Sequence, residues 1–191
     1  MEKIYDLKIA ADKTRRLDLS RILNEKKLLH LHPHWFVGEC QEQDGVLFAS
    51  LRDYETDNEF QLSLRIDFTP SPINQPGIHT VMSVSLSEFA VSEMLFFSEH
   101  NKMRVKITGG NDVIEEDIEQ SIFLWIRAIQ EYIRLYTSNK ATALLFRLIM
   151  NKMILTMNPS QRKICIMLTK ITVVEVLVII IIVIGYVLFV Q

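Results

Sequence analysis

Three histidines stand at every other residue in His30-Leu31-His32-Pro33-His34, the densest group of potential metal ligands or proton carriers in the chain. On a strand that spacing would put three imidazoles on one face. A zinc site asks for further ligands at suitable spacing and for groups that hold them, and Cys40 is the nearest thiol. The expectation is therefore a loop of solvated histidines near the mouth of a cavity, with a charge that responds to mild acid. Glu115-Glu116-Asp117 suits the first turn of a helix better than a catalytic pair, and Gly109-Gly110 before it suits a tight turn. Nucleophile elbows, phosphate-cradling glycine loops and HExxH are absent. The sequence thus offers no catalytic residue, no metal ligand set and no cofactor motif.

The elements that would position any site end in an unusual stretch, Ile171 to Val190, which reads ITVVEVLVIIIIVIGYVLFV. At about 1.5 Å per residue it reaches roughly 30 Å, the thickness of a bilayer's hydrocarbon core, and it predicts a transmembrane helix. Glu175 is the one charge inside it, close enough to its start to sit near the headgroups. Arg162, Lys163 and Lys170 precede the span, with Arg147 and Lys152 further back. This asymmetry predicts a single-pass, tail-anchored membrane protein whose N-terminal part is cytoplasmic. The opening MEKIYDLKIA alternates charged and apolar residues where a secretory signal carries a continuous apolar core, so no signal peptide is expected.

The remaining residues, about 160, suit one domain with a real core. A net charge of −2 gives no sign of a nucleic-acid partner. Cys40 and Cys165 lie too far apart in sequence to suggest a disulfide framework or a metal knuckle. The expected organisation is a domain over 1–140, an amphipathic juxtamembrane helix and break over 141–159, and the anchor over 160–191.

Period-two patterns dominate the domain. Tyr5, Leu7 and Ile9 mark a half-buried first strand, and 12–24 reads as one or two short helices. Residues 35–42 and 46–53 form two strands about a turn at Gln43-Asp44-Gly45, where Asp-Gly supplies positive φ. Phe60, Leu62, Leu64, Ile66 and Phe68 then alternate without fault against polar residues, giving one dry and one wet face. The proline-rich 69–77 must be a loop. Further strands follow at Ile78 to Leu86, Val91 to Ser98, and around Met103, Val105 and Ile107, the last two joined as a hairpin.

After Gly110 the period becomes 3.6. Asp112 and Glu115 make a capping box, and Ile114, Ile118, Ile122, Trp125, Ile129, Tyr132 and Tyr136 fall on one stripe of a long helix, with Phe123 nearly opposite. Residues 141–157 admit two readings. They either lie in the membrane interface with the basic side of Arg147, Asn151 and Lys152 toward the headgroups, the preferred reading, or continue the long helix and pack against a partner.

This order of elements resembles the START/SRPBCC superfamily, the helix-grip proteins that include polyketide cyclases and lipid-transfer domains. The run IAADKTRRLDLSRIL resembles the family's opening strand passing into a short helix, and LLHLHPHWFVGECQEQDG its proline, strand and glycine turn. The resemblance covers Lys3 to Tyr136. It implies an α+β fold in which a curved, seven-stranded antiparallel sheet wraps around a long C-terminal helix, here followed by the transmembrane helix, with an apolar cavity between sheet and helix. Combining the dry strand faces with the helix stripe, the expected cavity walls are Phe60, Leu62, Leu64, Ile66, Met82, Val84, Met103, Val105, Ile118, Trp125 and Ile129. The same residues could instead fill the core completely.

Three classes of function remain. The first, and preferred, is a membrane-anchored binding protein for a lipid or other hydrophobic small molecule. The second is a non-enzymatic scaffold for a membrane complex, with a membrane-protein partner. A cyclase-like enzyme comes last, because no acid, base or nucleophile stands at a telling spacing.

Overall fold

The alternating segments pair into one antiparallel sheet of seven strands: β1 (Glu2–Ala10), β2 (Trp35–Gln43), β3 (Val46–Asp53), β4 (Glu59–Asp67), β5 (Ile78–Ser87), β6 (Val91–Glu99) and β7 (Lys102–Gly109). Their spatial order is β1-β7-β6-β5-β4-β3-β2, so the last six form a meander and β1 returns to its far edge. In the computed structural model the described residues are 2–10, 19–68, 78–87, 89–99, 102–109, 116–138 and 141–190. The proline-rich loop and the Asp112 capping box lie outside them.

Local chemistry explains the pairing. Asp44 and Gly45 both take positive φ, 53° and 73°, the twist a two-residue hairpin demands, and this fixes Gln43 opposite Val46. Register shifts at Val37/Cys40, Thr80/Met82 and Val91/Glu93 bend the strands, and such irregularities let a sheet curl around a helix. At Gly38, inside the first of these, a Cβ would stand 3.2 Å from the Ser50 carbonyl oxygen, so only glycine fits without displacement.

Two short helices, α1 (Leu19–Ile22) and α2 (Glu25–His30), connect β1 to β2. The sequence pattern did not separate α2, which is too short to show a period. Its start is nevertheless marked by Asn24, whose side chain accepts the Lys27 N–H at 2.9 Å. Leu28 and Leu29 on α2 are wholly buried.

The long helix α3 (Glu116–Thr137) buries Ile122, Trp125, Ile126, Ile129, Tyr132 and Ile133. They share one hydrophobic core with Leu62, Leu64, Met82, Val84, Phe96, Met103 and Val105 of the sheet. Each such side chain removed from water contributes on the order of 1.5–3 kcal/mol. The Trp125 indole N–H donates to the Leu28 carbonyl at 2.7 Å, which ties α3 to α2 through a buried bond. A single antiparallel sheet holding a long C-terminal helix in this way is the helix-grip fold.

Helix α4 (Ala141–Lys152) and a 3₁₀ turn (Ile154–Thr156) follow, and Leu155 of that turn belongs to the core. The chain forms two compact units, Met1–Thr156 and Met157–Gln191. The second is α5 (Pro159–Val190), 32 residues without interruption. The Asn158-Pro159-Ser160 break is where it begins. Pro159 takes the first helical position, where a missing N–H costs nothing, and the Asn158 N–H donates to Gln161 Oε1 at 3.0 Å as half of a capping box. Helix α5 is long and apolar enough to cross a membrane.

Candidate functional site

A cavity of about 700 Å³ opens between the first turns of α3 and one end of the sheet. Trp35 at the start of β2, Phe60 at the start of β4, Phe89 in the β5–β6 connection and Ile118 on α3 make its apolar wall. Asp53, Glu59 and Asp117 form a carboxylate rim, with Thr56, Asn58 and Ser121 between. No Lys or Arg lines the space among the described residues.

The wall is an aromatic cluster. Trp35 meets Phe60 and Phe89 edge to face with ring centroids 5.6 Å apart in both cases, and Phe60 stacks on Phe89 at 6.1 Å. Trp125 supports Trp35 from behind at 4.9 Å. The rim is partly neutralised outside the cavity, since Arg52 pairs with Asp57 at 2.6 Å and lies 4.0 Å from Glu59. Asp53 accepts the Glu55 N–H at 2.8 Å.

Behind the wall lies His32. Its ring is completely buried and stacks on Trp35 with centroids 4.0 Å apart. The expectation of solvated histidines is therefore wrong for His32: Pro33 and the start of β2 turn this ring into the core, where the indole covers it. His30 closes α2, and His34, half-buried, places Nδ1 2.5 Å from Glu55 Oε2. Among the described residues no group of three His, Cys, Asp or Glu side chains is arranged to hold a metal ion.

The Ser121 hydroxyl lies 3.0 Å from His32 Nε2, a spacing that a nucleophile and its base would show. The other ring nitrogen argues against that role. His32 Nδ1 accepts the His34 N–H at 3.3 Å, which assigns the ring proton to Nε2, where it points at the Ser121 carbonyl, 3.1 Å away, or hydroxyl. An Nε2 that carries its proton donates to Ser121 and cannot withdraw a proton from it. The pair fastens the His32 loop to α3. Burial pushes the Cys40 thiol up from its ordinary pKa, with Lys26 opposing, so Cys40 is no activated nucleophile.

Of the residues expected on the cavity walls, Phe60 and Ile118 line this cavity. Leu62, Leu64, Ile66, Met82, Val84, Met103, Val105, Trp125 and Ile129 belong to the buried hydrophobic core instead. Trp35, Phe89, Ser121 and the three rim carboxylates were not anticipated. The aromatic at the head of β2, two residues after Pro33, was the available signal.

A groove of about 500 Å³ runs between β1 and α3, lined by Tyr5, Leu7, Phe123, Ile126, Arg127 and Arg134 among others. Phe123 remains 46% exposed there, with its ring 6.1 Å from that of Tyr5. At one end of this groove Lys3 pairs with Glu119, which also accepts the Tyr5 hydroxyl at 3.3 Å. The hydrogen bond from Lys3 holds the Glu119 carboxyl below the usual carboxylate range, and burial, more than Glu119, raises the Tyr5 phenol.

Comparison with known proteins adds little beyond this geometry. No family model and no curated protein sequence matches the chain. Among solved structures it is similar to Chr148 from Cytophaga hutchinsonii and to Ara h 8.0201, each 13% identical with a TM-score of 0.35. The matches span 72% of this chain and 91% and 95% of those chains, respectively. At that level of likeness the helix-grip assignment rests on the strand order and the gripped helix themselves.

Proposed function

We propose that this chain is a membrane-anchored member of the START/SRPBCC superfamily that binds a lipid or another hydrophobic small molecule between its sheet and α3. The observation that carries the reading is an aromatic-walled cavity at the end of a helix-grip domain, on the same chain as a helix long enough to span a bilayer. A ligand of low aqueous solubility lives in membranes, so tethering its receptor there raises the local concentration. The basic residues before the apolar stretch 171–190, Arg162, Lys163 and Lys170 in the first turns of α5 among them, favour a cytoplasmic domain. The cavity takes the apolar body of the ligand against Trp35, Phe60, Phe89 and Ile118, and the carboxylate rim favours a neutral or cationic head over an anionic one. A ligand would reach Leu62, Leu64, Ile66, Met82, Val84, Met103, Val105, Trp125 and Ile129 only by parting the packed core between sheet and α3. Catalysis has no support from the Ser121–His32 pair.

Trp35 and Trp125 are the only tryptophans, so intrinsic fluorescence reports on the cavity wall and its support. Brominated acyl chains with neutral or cationic heads should quench that emission saturably, and Ile118→Asp should weaken the effect several-fold. Quenching that is non-saturable and indifferent to Ile118 would contradict the reading. The scaffold alternative draws on the exposed Phe123 beside the β1 groove, and a Phe123→Ser variant that sheds a membrane-protein partner while keeping ligand would favour it.

A further inference from the structure

Helix α4 is built inside out. Two of its polar side chains, Arg147 and Asn151, point at the domain. Arg147 donates to the carbonyls of Leu135 at 3.0 Å, Tyr136 at 3.1 Å and Ser138 at 2.5 Å, while its guanidinium lies 4.9 Å from the centre of the Tyr136 ring. These carbonyls belong to the last turn of α3 and the residues after it, which have no helical donors of their own, so the cation closes the helix end and meets the negative pole of its dipole. Asn151 accepts from the Tyr132 hydroxyl at 2.8 Å and donates to that of Tyr136 at 2.7 Å. With Ala143 buried and Met150 against the core, this fixes which side of α4 faces inward.

The outward side is consequently apolar apart from Thr142 and Lys152. Leu144, Leu145, Phe146, Leu148 and Met153 are each about half exposed or more. The sequence suggested the opposite, a helix with its basic side outward, because charge alone does not reveal that Arg147 is engaged in closing α3. Four large apolar side chains on one short helix, with Met153 directly after it, are costly to leave in water and mark a contact surface.

Two features of the chain name the occupant. From Tyr132 to Val174 there is no Asp or Glu, while, besides the engaged Arg147, Arg134, Lys140, Lys152, Arg162, Lys163 and Lys170 fall within it, so the surroundings suit anionic headgroups. Only residues 153–158 separate α4 from the apolar helix α5, a connector of at most about 25 Å when extended. We infer that the outward face of α4 inserts into the headgroup–acyl boundary of the bilayer that α5 crosses, giving the domain a second, in-plane membrane contact. Lys152, at the end of the helix, then reaches up to the lipid phosphates. The inference rests on α5 as the anchor and is independent of what the cavity binds.

The test uses the full chain in nanodiscs of phosphatidylcholine with phosphatidylserine, with Cys40 and Cys165 replaced by serine. A bimane label is attached through Leu145→Cys, and for comparison through Glu131→Cys on the exposed side of α3. Nitroxide lipids labelled at a shallow acyl position should quench the label at 145 several-fold more than that at 131, with aqueous iodide showing the reverse order, because interfacial helices seat their apolar face about 5–10 Å into this layer. Quenching of both labels equally by iodide would overturn the inference. So would shielding of the label at 145 from both quenchers, which would place a second copy or another protein on this face. Retention of the protein by the discs reports the anchor separately, so failure of the anchor and failure of this contact give different results.

Discussion

Replacing Arg147 by methionine keeps the bulk of the side chain and removes its charge and donors. Three carbonyls at the end of α3 lose their partner at once. Hydrogen bonds from a charged donor contribute about 1.5–3 kcal/mol each when well buried, but this site is half-exposed and water recovers most of that. Adding roughly 0.5 kcal/mol for the lost cation–π contact and a similar sum for the helix dipole leaves a local cost of about 2 kcal/mol. At 25 °C that corresponds to roughly a thirtyfold increase in local opening of the α3–α4 junction. Hydrogen exchange on the full chain in nanodiscs should therefore show faster exchange in peptides covering 132–152, with the strands unaffected. Arg147→Lys should fall between, since an ammonium supplies the charge without the planar fork. Exchange in 132–152 unchanged to within twofold would refute the reasoning that Arg147 holds α4 in its orientation.

Other expectations follow from the same geometry. Trp35→Ala should cost about 3–5 kcal/mol, measured by denaturant unfolding of the 1–156 unit, because Trp35 is wholly buried among His32, Phe60, Phe89 and Trp125; a loss below 1 kcal/mol would mean that the wall is not packed. Gly38→Ala should destabilise by about 1 kcal/mol through its approach to the Ser50 carbonyl, whereas an alanine accepted without loss would show that the bulge can shift. Glu119 titrates lower when folded than when unfolded because of Lys3, so its stabilising effect is complete above the unfolded carboxylate's pKa and disappears as pH falls through the folded value. The stabilities of wild type and Glu119→Gln should accordingly differ at neutral pH and converge in strong acid. Deleting 157–191 should leave a protein attached to membranes at most peripherally, through α4, and removed by alkaline carbonate, while extraction of the intact chain by alkaline carbonate would contradict an integral anchor.

The sheet was legible because alternation is a direct record of which face is wet. The fault-free pattern of β4 and the Asp44-Gly45 turn predicted their strands and hairpin to within a residue or two. The stripe of α3 was equally plain, though Ile126 and Ile133, on its flank, turn out to be as buried as its centre. Periodicity says which side chains face inward and nothing about whether they meet. That is why Leu64 and Val105, expected beside a cavity, lie in packed core, while the space itself opens where the strand ends of β2 and β4 diverge from α3. His32 and Arg147 were misjudged for a common reason. Both are polar residues whose partners, Ser121 in one case and the α3 carbonyls in the other, come from distant or irregular parts of the chain. No local pattern records such pairings.

The binding claim is tested most directly by native mass spectrometry, with organic extraction, on residues 1–156 purified from cells without detergent. This span is the compact unit that includes α4 and the core residue Leu155. The account predicts one defined apolar molecule per chain, reduced or lost when Ile118→Asp puts a charge in the cavity wall. A monomer that emerges empty, with nothing in the extract and no uptake of added lipid, would contradict it.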